Sequence, residues 1–393
     1  MSISPLRKAF AVLLILSVCL TGARWVHSVD LRCPSVLTTG LPVCDYRFFI
    51  SKCIQEGKPY DPVTINYRDA CYPPIAYLLV KWFPLSARGE DAYVWVLFLG
   101  LVAGWALLVR EKFGSDRLWY FLPILGTGFF LAGPLRGNPS AWAAGAVFVF
   151  LAWYDSKVKW KRYAAAIALG FSASLKITPA LFGLVYLRGR LMQPKSWPLY
   201  EIVVAALSCL ILLVIPFYFF GGIDAIAPWF FNALENAKHY GSLSTVGFVE
   251  LFNHRYLHND VLPLHISMLL TKLLTALTLI AALFTANRYR QVLLLGSAML
   301  LLGHHEYAFI FLLPAFMLWF AQEETATRPF IDTLEGLCWF VVLCPLMNTF
   351  SAIAAMSYEM LRAFAALILA FSSLYAVTRE SRLRISSGGP ITR

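Results

Sequence analysis

The sequence predicts an all-α polytopic membrane protein with about twelve transmembrane helices. Of its 393 residues, 59% are hydrophobic and 14% are charged, whereas soluble domains carry about a quarter charged residues. Several apolar runs reach or approach the ~20 residues that a helix needs to cross a bilayer. The net charge of +11 is then assigned to Lys and Arg in cytoplasmic loops, and a nucleic-acid-binding surface is not indicated.

The first apolar run, residues 9–26, follows a short basic segment, Met1–Lys8. A cleaved signal peptide is one interpretation of this pattern. We prefer an uncleaved first span that runs from inside to outside and leaves the N-terminus in the cytoplasm.

Residues 27–91 form a long polar segment that this orientation places on the extracytoplasmic side. Pro42 followed by Asp45 suits a helix start, and apolar residues at helical spacing predict an amphipathic helix on the membrane surface. After a turn, Pro73-Pro74 opens a second short helix, predicted over Ile75–Phe83. These surface helices would hold an acceptor at the lipid plane.

Four of the eight cysteines fall in this first loop. In an oxidising compartment they could form one or two disulfides. They could equally stay unpaired as small apolar residues. The four are Cys33, Cys44, Cys53 and Cys71.

The run 163–187 differs from the other predicted spans because basic residues flank it on both sides. A single span would place one basic cluster outside, whereas two short helices with Lys176 near the turn satisfy the charge distribution. With this hairpin both termini lie in the cytoplasm, and 378–393 form a cytoplasmic tail. The remaining spans are predicted at 93–109, 118–133, 140–154, 200–220, 262–285, 290–302, 306–320, 334–350 and 357–377.

Asp45 is the candidate catalytic carboxylate. At a helix start on the membrane surface, a carboxylate could take a proton from an acceptor hydroxyl if an aromatic rim shields it from water. The alternative is an N-cap, in which the carboxylate only accepts hydrogen bonds from backbone N–H groups. Spacing alone does not separate these two interpretations.

Lys176 and Arg136 are cations at the outer ends of predicted spans. Cations at this depth are costly and usually have an anionic partner. One hypothesis is a clamp on a lipid-linked phosphate, where positive charge stabilises a leaving group. The alternative for Arg136 is a side chain that reaches along a span end to water, and Lys176 could serve only the helix break.

Two further polar segments face the same side. His304-His305-Glu306 is too compact to supply three or four convergent zinc ligands, so no metal site is predicted, and one His binding phosphate is preferred over purely interfacial residues. The second extracytoplasmic loop, 221–261, contains Arg255 and mixed aromatic and polar residues. It suits either a sugar-contacting lid or a solvated loop. No nucleotide-binding glycine loop or Asp-x-Asp motif occurs, which argues against a nucleotide-sugar donor.

The order of these pieces resembles the GT-C glycosyltransferases of family 87, and the likeness covers most of the chain as short motifs. The first outer loop carries the most specific set, which is Asp45-Tyr46, Gly57–Asp61 and Tyr72-Pro73-Pro74. Later segments resemble the family's turn between spans three and four, its Lys-x-x-Pro and its His-containing segment: Arg136-Gly137-Asn138, Lys176-Ile177-Thr178-Pro179 and His304-His305. The segment Gly241–Arg255 departs from the family's Asn-x-Ser pattern, since Ser242 and Ser244 lack the Asn.

This resemblance implies an inverting transferase of hexose, often mannose, that uses a polyprenyl-phosphate sugar and no cofactor. It implies Asp45 as general base and donor-phosphate contacts from Lys176, Arg136 and His304 or His305. Weaker substrate contacts are expected from the following residues: Tyr46, Tyr60, Tyr72, Asn138, Glu306 and Arg255.

A single domain over 1–393 in a bacterial inner membrane is expected, with the active site on the extracytoplasmic face. The expected partners are the bilayer, the lipid-linked sugar and a glycan or glycolipid acceptor. A transporter or flippase of lipid-linked sugars would instead place charges near the midplane and show repeated halves. An outer-face polymerase or ligase shares the predicted topology and differs in donor length. The sugar, the linkage and the oligomeric state stay open.

Overall fold

The structure is a computed structural model, and within the residues that it describes the chain is helical, without strands. The predicted all-α class is therefore confirmed for this part of the chain. The described residues are 11–16, 18–19, 46, 60, 72–84, 86–188, 198–239, 264–285, 287–302, 306–321, 329–343 and 352–386.

The longer helices of the described chain follow one another with short irregular or 3-10 segments between them. They are α1 (Pro74–Val80), α2 (Ala87–Phe113), α3 (Gly128–Arg136), α4 (Ser140–Trp153), α5 (Lys159–Leu175), α6 (Leu199–Val214), α7 (Ile226–His239), α8 (Leu264–Phe284), α9 (Arg288–Leu302), α10 (Leu313–Ala321), α11 (Pro329–Leu343) and α12 (Ala352–Ser386). Shorter helical turns occupy Ser115–Arg117, Leu118–Phe121, Leu122–Gly126, Thr178–Leu184, Val185–Arg188, Ile215–Phe219, Gly222–Ala225 and Glu306–Leu312.

Two helical segments in the described chain are long and apolar enough to cross a bilayer unaided, Arg88–Phe113 and Leu199–Phe219. Several more are apolar but shorter. The count of about twelve spans therefore stays a prediction. The shorter apolar helices are Ser140–Trp153, Thr178–Leu187, Lys272–Phe284, Ala308–Ala321 and Phe364–Arg379.

Glycines bring neighbouring helices into close contact. A Cβ added to Gly145 of α4 would lie 2.9 Å from the carbonyl oxygen of Gly100 in α2, and Gly104 faces Gly145 more closely still. A Cβ on Gly170 of α5 would lie 2.7 Å from Ser208 Cβ in α6. Small residues allow such backbone approach between membrane helices, so α2–α4 and α5–α6 form tightly packed pairs.

The chain turns back at Lys176, as the charge pattern predicts. Helix α5 ends just before Lys176, whose backbone is extended at φ −155° and ψ 123°. A Cβ on Gly183 would lie 3.4 Å from Leu169 Cδ2, and the rings of Tyr186 and Phe150 are 5.3 Å apart. Since Phe150 lies near the C-terminus of α4, the segment after Lys176 returns along the helices that precede it.

Ion pairs gather at one end of the helix bundle. They join the C-terminus of α2 and the α4–α5 connection to the N-termini of α5, α6 and α9. We call this the inner end, since these residues were predicted to face the cytoplasm, and the opposite end the outer end. The pairs are Lys161–Glu111 at 2.8 Å, Arg162–Glu201 at 2.8 Å, Arg288–Asp155 at 3.1 Å and Lys112–Asp155.

Exposed aromatic side chains occur near both ends, as in membrane proteins whose aromatic belts lie at the two interfaces. Trp119, Trp160 and Tyr200 are exposed near the inner end. Trp82 and Tyr218 are exposed near the outer end. This distribution agrees with a bundle whose two ends face the two membrane surfaces.

Three predicted segments differ from the structure. The span predicted at 118–133 is broken before α3, because the 3-10 turn that holds Pro123 ends in an extended Thr127 (φ −72°, ψ 145°). Residues Gly222–His239 of the second outer loop are helical rather than irregular, and α7 follows a turn in which Gly221 and Gly222 have positive φ. Helix α12 runs on to Ser386, into the predicted tail.

Candidate active site

A chain of hydrogen bonds links the first loop to the hairpin at the outer end. Tyr60 donates its hydroxyl to the Tyr72 carbonyl oxygen (2.9 Å), and Asn138 Nδ2 donates to the Tyr72 hydroxyl (2.9 Å). Asn138 Oδ1 accepts from the Ser140 backbone N–H (2.9 Å), and Lys176 Nζ donates to Ser140 Oγ (3.1 Å). We call these five residues the outer polar chain.

Asn138 is positioned by the turn between α3 and α4. Gly137 has φ 70°, which is the left-handed region that favours glycine. Its N–H donates to the Pro134 carbonyl (2.8 Å), and the Asn138 N–H donates to the Gly133 carbonyl (2.9 Å). This pair of bonds is a Schellman motif. It ends α3 and turns the buried Asn138 toward Tyr72 and Ser140.

Lys176 is held where α5 breaks. Its backbone N–H still donates to the Ser172 carbonyl (3.1 Å), while the buried Ser172 hydroxyl donates to the Ala143 carbonyl of α4 (2.7 Å). Ser172 therefore fastens α5 to α4 one turn before the break. The Lys176 side chain is half-buried, and this anchoring keeps its amine beside the first turn of α4.

Aromatic rings enclose the first-loop end of the outer polar chain. The buried Tyr60 ring lies 5.7 Å from Tyr77 of α1 and 5.6 Å from Phe217, which follows α6. Tyr77 in turn lies 6.1 Å from Phe220, and Phe217 lies 5.7 Å from Trp229 of α7. These contacts tie a first-loop residue to α1, α6 and α7.

A second aromatic cluster reaches the same helix N-terminus from another side. Tyr46, which is buried, lies 5.0 Å from Tyr93 of α2, and Tyr93 lies 5.6 Å from Trp142 in the first turn of α4. Burial raises the pKa of the Tyr46 phenol, and the negative charge of Glu90 raises it further. Tyr46 therefore stays a neutral phenol at physiological pH. Both clusters converge on the start of α4.

The start of α4 favours anions. The N-terminus of a helix carries partial positive charge on its backbone N–H groups, and α4 begins at Ser140, whose hydroxyl accepts from Lys176. Arg136 lies in the last turn of α3, just before the same turn. A cation, a helix N-terminus and buried hydroxyl and amide groups form an arrangement that can bind a phosphate group.

The structure brings together four of the predicted site residues, Tyr60, Tyr72, Asn138 and Lys176, in the outer polar chain. Tyr46 packs at the same helix start, and Arg136 precedes it in the chain. Others lie outside the described residues, so their roles stay predictions: Asp45, His304, His305 and Arg255. Glu306 is described only in its backbone, as the first residue of the 3-10 segment Glu306–Leu312. The four cysteines of the first loop also lie outside.

Two residues of interest were missed from the sequence. Ser140 bridges Asn138 and Lys176, and its position in the first turn after Asn138-Pro139 was the available signal. Arg362 lies in α12 and is 2% exposed. It could have been found by looking for charges inside the span predicted at 357–377, because such charges are rare and usually functional.

A profile of glycosyltransferase family 87 matches residues 70–305. The matched region contains Tyr72, Arg136, Asn138 and Lys176 and begins after Asp45 in the sequence. Comparison with curated proteins and with solved structures gives no match. Because the matched region is more than half of the chain and two of its helices are long enough to span a bilayer, the protein is a membrane glycosyltransferase belonging to glycosyltransferase family 87.

Proposed function

We propose that the protein has a GT-C-type fold and transfers a hexose, with mannose the first choice, from a polyprenyl-phosphate donor to a glycan or glycolipid acceptor. The reaction takes place on the extracytoplasmic face of a bacterial inner membrane. The observation that carries this proposal is the outer polar chain, which connects the cation of Lys176 to the first loop at one end of the bundle.

The donor phosphate binds at the start of α4. Lys176, the Ser140 hydroxyl and the helix N-terminus offer positive charge and hydrogen-bond donors to the phosphate oxygens. Arg136 and either His304 or His305 complete the site. These groups act mainly on the leaving group, because polyprenyl phosphate gains negative charge as its bond to the sugar breaks. The prenyl tail stays in the surrounding lipid.

The acceptor reacts by a single displacement. Asp45 takes the proton of the acceptor hydroxyl while that oxygen forms a bond to the anomeric carbon. The bond between the anomeric carbon and the phosphate oxygen breaks on the opposite face, and polyprenyl phosphate leaves with its electron pair. This geometry inverts the anomeric centre and needs neither a metal nor a second carboxylate. In support, Tyr46, the next residue in sequence, packs near the start of α4.

The first-loop tyrosines contact the sugars. Tyr60 and Tyr72 combine a ring with a hydroxyl that already takes part in the outer polar chain. Such side chains can stack on a sugar ring and hydrogen-bond its hydroxyls. Tyr46, Asn138, Glu306 and Arg255 are assigned secondary contacts. Hydroxyls that link donor and acceptor sites would couple binding of the two substrates.

Transfer by membranes that carry the protein tests the proposal, with labelled polyprenyl-phosphate hexoses as donors. We expect Asp45→Ala and Asp45→Asn to lose about 100-fold or more of the rate, the contribution of a general base. Asp155→Asn is the matched control, because Asp155 forms ion pairs at the inner end. Full activity in both Asp45 variants would remove this residue as the base. Movement of the labelled lipid without a new glycosidic bond would favour a flippase, and transfer of only long oligosaccharides would favour a polymerase or ligase.

A further inference from the structure

Arg362 is a fully buried arginine in α12. Its side chain is 2% exposed and is one of the largest buried side chains of the described chain. It lies in the stretch predicted to span the membrane, where a charge is costly unless it meets an anion or a water-filled cavity. The position therefore points to a specific task.

Arg362 faces the interior of the bundle. It shares one face of α12 with Ala365, Ala366 and Leu369, which are buried at the helical spacing i+3, i+4 and i+7. Leu361 and Phe364 are exposed on another face of the same helix. The guanidinium therefore does not reach lipid headgroups along the outer surface, and its charge acts inside the protein.

Contacts between helices give the direction of α12. Ser372 of α12 donates its hydroxyl to Glu335 of α11 (2.8 Å). From that contact, Leu343 lies about 12 Å along α11 and Ala352 about 30 Å along α12. If the two lay on opposite sides, the connection would have to span about 42 Å, whereas its nine peptide steps reach about 32 Å. Helices α11 and α12 are therefore antiparallel.

The depth of Arg362 follows from α9. Arg290, near the inner end of α9, donates to the Ser372 carbonyl oxygen (3.4 Å). Helix α11 runs outward, because its Trp339 and Gly336 contact Phe316 and Trp319 of α10 in antiparallel order, and α10 returns inward after α9. Arg362 thus lies about 15 Å outward of Ser372, while α9 extends about 18 Å beyond Arg290.

Two cations therefore flank the outer end of α9. Helix side chains lean toward the N-terminus of their helix, which for α12 is the outer end, so the Arg362 guanidinium extends further outward. On its other side, α9 packs against the segment Thr178–Leu184, which follows Lys176. The sequence after α9 continues with His304-His305, the segment predicted to bind phosphate.

We infer that Arg362 is a further phosphate-binding residue for the polyprenyl-phosphate donor. This inference rests on the proposed function and adds a residue outside the region matched by the family profile. A guanidinium presents a planar set of donors that matches a phosphate group. In the interior of the outer half, it meets an anion that arrives laterally with its tail still in lipid.

Binding of polyprenyl phosphate, the leaving group, tests the inference without the acceptor. The purified full chain is titrated, and thermal stability is measured with and without the ligand. We expect Arg362→Gln to raise Kd about 10- to 100-fold, the loss of a charge-assisted hydrogen bond. Arg362→Lys keeps the charge without the planar fork and should raise Kd less. Arg290→Gln, an arginine at the inner end, should leave Kd unchanged.

The outcomes separate the inference from the proposed function. Equal Kd in the wild type and in both Arg362 variants would overturn the inference, and would leave Arg362 a structural residue if ligand-free stability falls. No binding to the wild type would overturn the proposed donor class together with the inference. If Arg362→Gln does not fold, Arg362→Lys decides: unchanged Kd in that folded variant contradicts a role for the guanidinium in binding phosphate.

Discussion

The two ends of the bundle hold their cations in different ways. At the inner end, carboxylates face the cations directly, as in Lys161–Glu111 and Arg162–Glu201. At the outer end, the Lys176 amine donates to the hydroxyl of Ser140, which is fixed through Asn138 to Tyr72. A hydroxyl orients an amine without cancelling its charge, whereas a carboxylate cancels it.

This difference separates stability from function. Paired charges at the inner end join the ends of four helices and the α4–α5 connection, and they have no need to bind a ligand. The outer polar chain orients a cation for an anion that comes and goes. Substitutions at the outer end should therefore affect turnover first, and substitutions at the inner end should affect unfolding.

The largest effect is expected from Lys176→Met. Loss of one charged donor to a developing anion lowers turnover about 100-fold or more, while Lys176→Arg should keep part of the rate. Transfer from a labelled polyprenyl-phosphate hexose measures the effect. Lys161→Met is the matched control at the inner end and should stay within a few-fold of the wild type. Similar losses in both lysine variants would remove the distinction between the two ends.

Asn138→Ala should lower both activity and stability. The side chain uses both ends of its amide, so its removal leaves the Tyr72 hydroxyl and the buried Ser140 N–H without these partners. We expect about 1–3 kcal/mol of lost stability for an unsatisfied buried group, measured by denaturation in detergent. Tyr72→Phe removes one hydroxyl and should cost about 1 kcal/mol. A smaller loss for Asn138→Ala than for Tyr72→Phe would contradict the chain as drawn.

Arg162→Gln should destabilise the protein without changing its rate. Glu201 has a side chain only 8% exposed, whereas Arg162 is 32% exposed, so the substitution leaves a buried carboxylate with a weaker partner. A loss of about 1–3 kcal/mol is expected. The double variant Arg162→Gln, Glu201→Gln should recover part of it. An activity loss larger than the change in folded fraction would show that the inner end takes part in turnover.

The smallest effect is expected from Arg288→Gln. Its partner Asp155 is 41% exposed and also pairs with Lys112, so solvent screens the charge and a second cation remains. The expected loss is below about 1 kcal/mol, and it should shrink further at high salt. Thermal unfolding at two salt concentrations measures it. A large, salt-independent loss would assign Asp155 a buried role.

Charge and composition predicted some features well. The break at Lys176 followed from basic residues on both sides of one apolar run, because this pattern admits few topologies. The helical class followed from hydrophobic content alone. Asn138 was named for its place in a motif, but its double contact with Tyr72 and Ser140 depends on residues 66 positions apart in one case, and no local pattern reveals such a contact.

Other features depend on packing that the sequence does not show locally. The irregular stretch before α3 reads as a continuous apolar span, since Pro123 and Gly126 are tolerated in membrane helices when neighbours satisfy the backbone. Arg362 was overlooked because one charge barely lowers the hydropathy of a long window. Whether a charge faces lipid or protein is decided by which face of α12 packs, and that requires the neighbouring helices.

The glycine contact between α2 and α4 has a mechanical consequence for catalysis. With no side chains between Gly100 and Gly145, the two backbones touch and tilt as one rigid beam. Gly145 lies five residues along α4 from Ser140, about 8 Å. One extra methyl group at that crossing would pry the beam apart and swing its outer tip, so a position that never meets sugar or phosphate would set how well they are aligned.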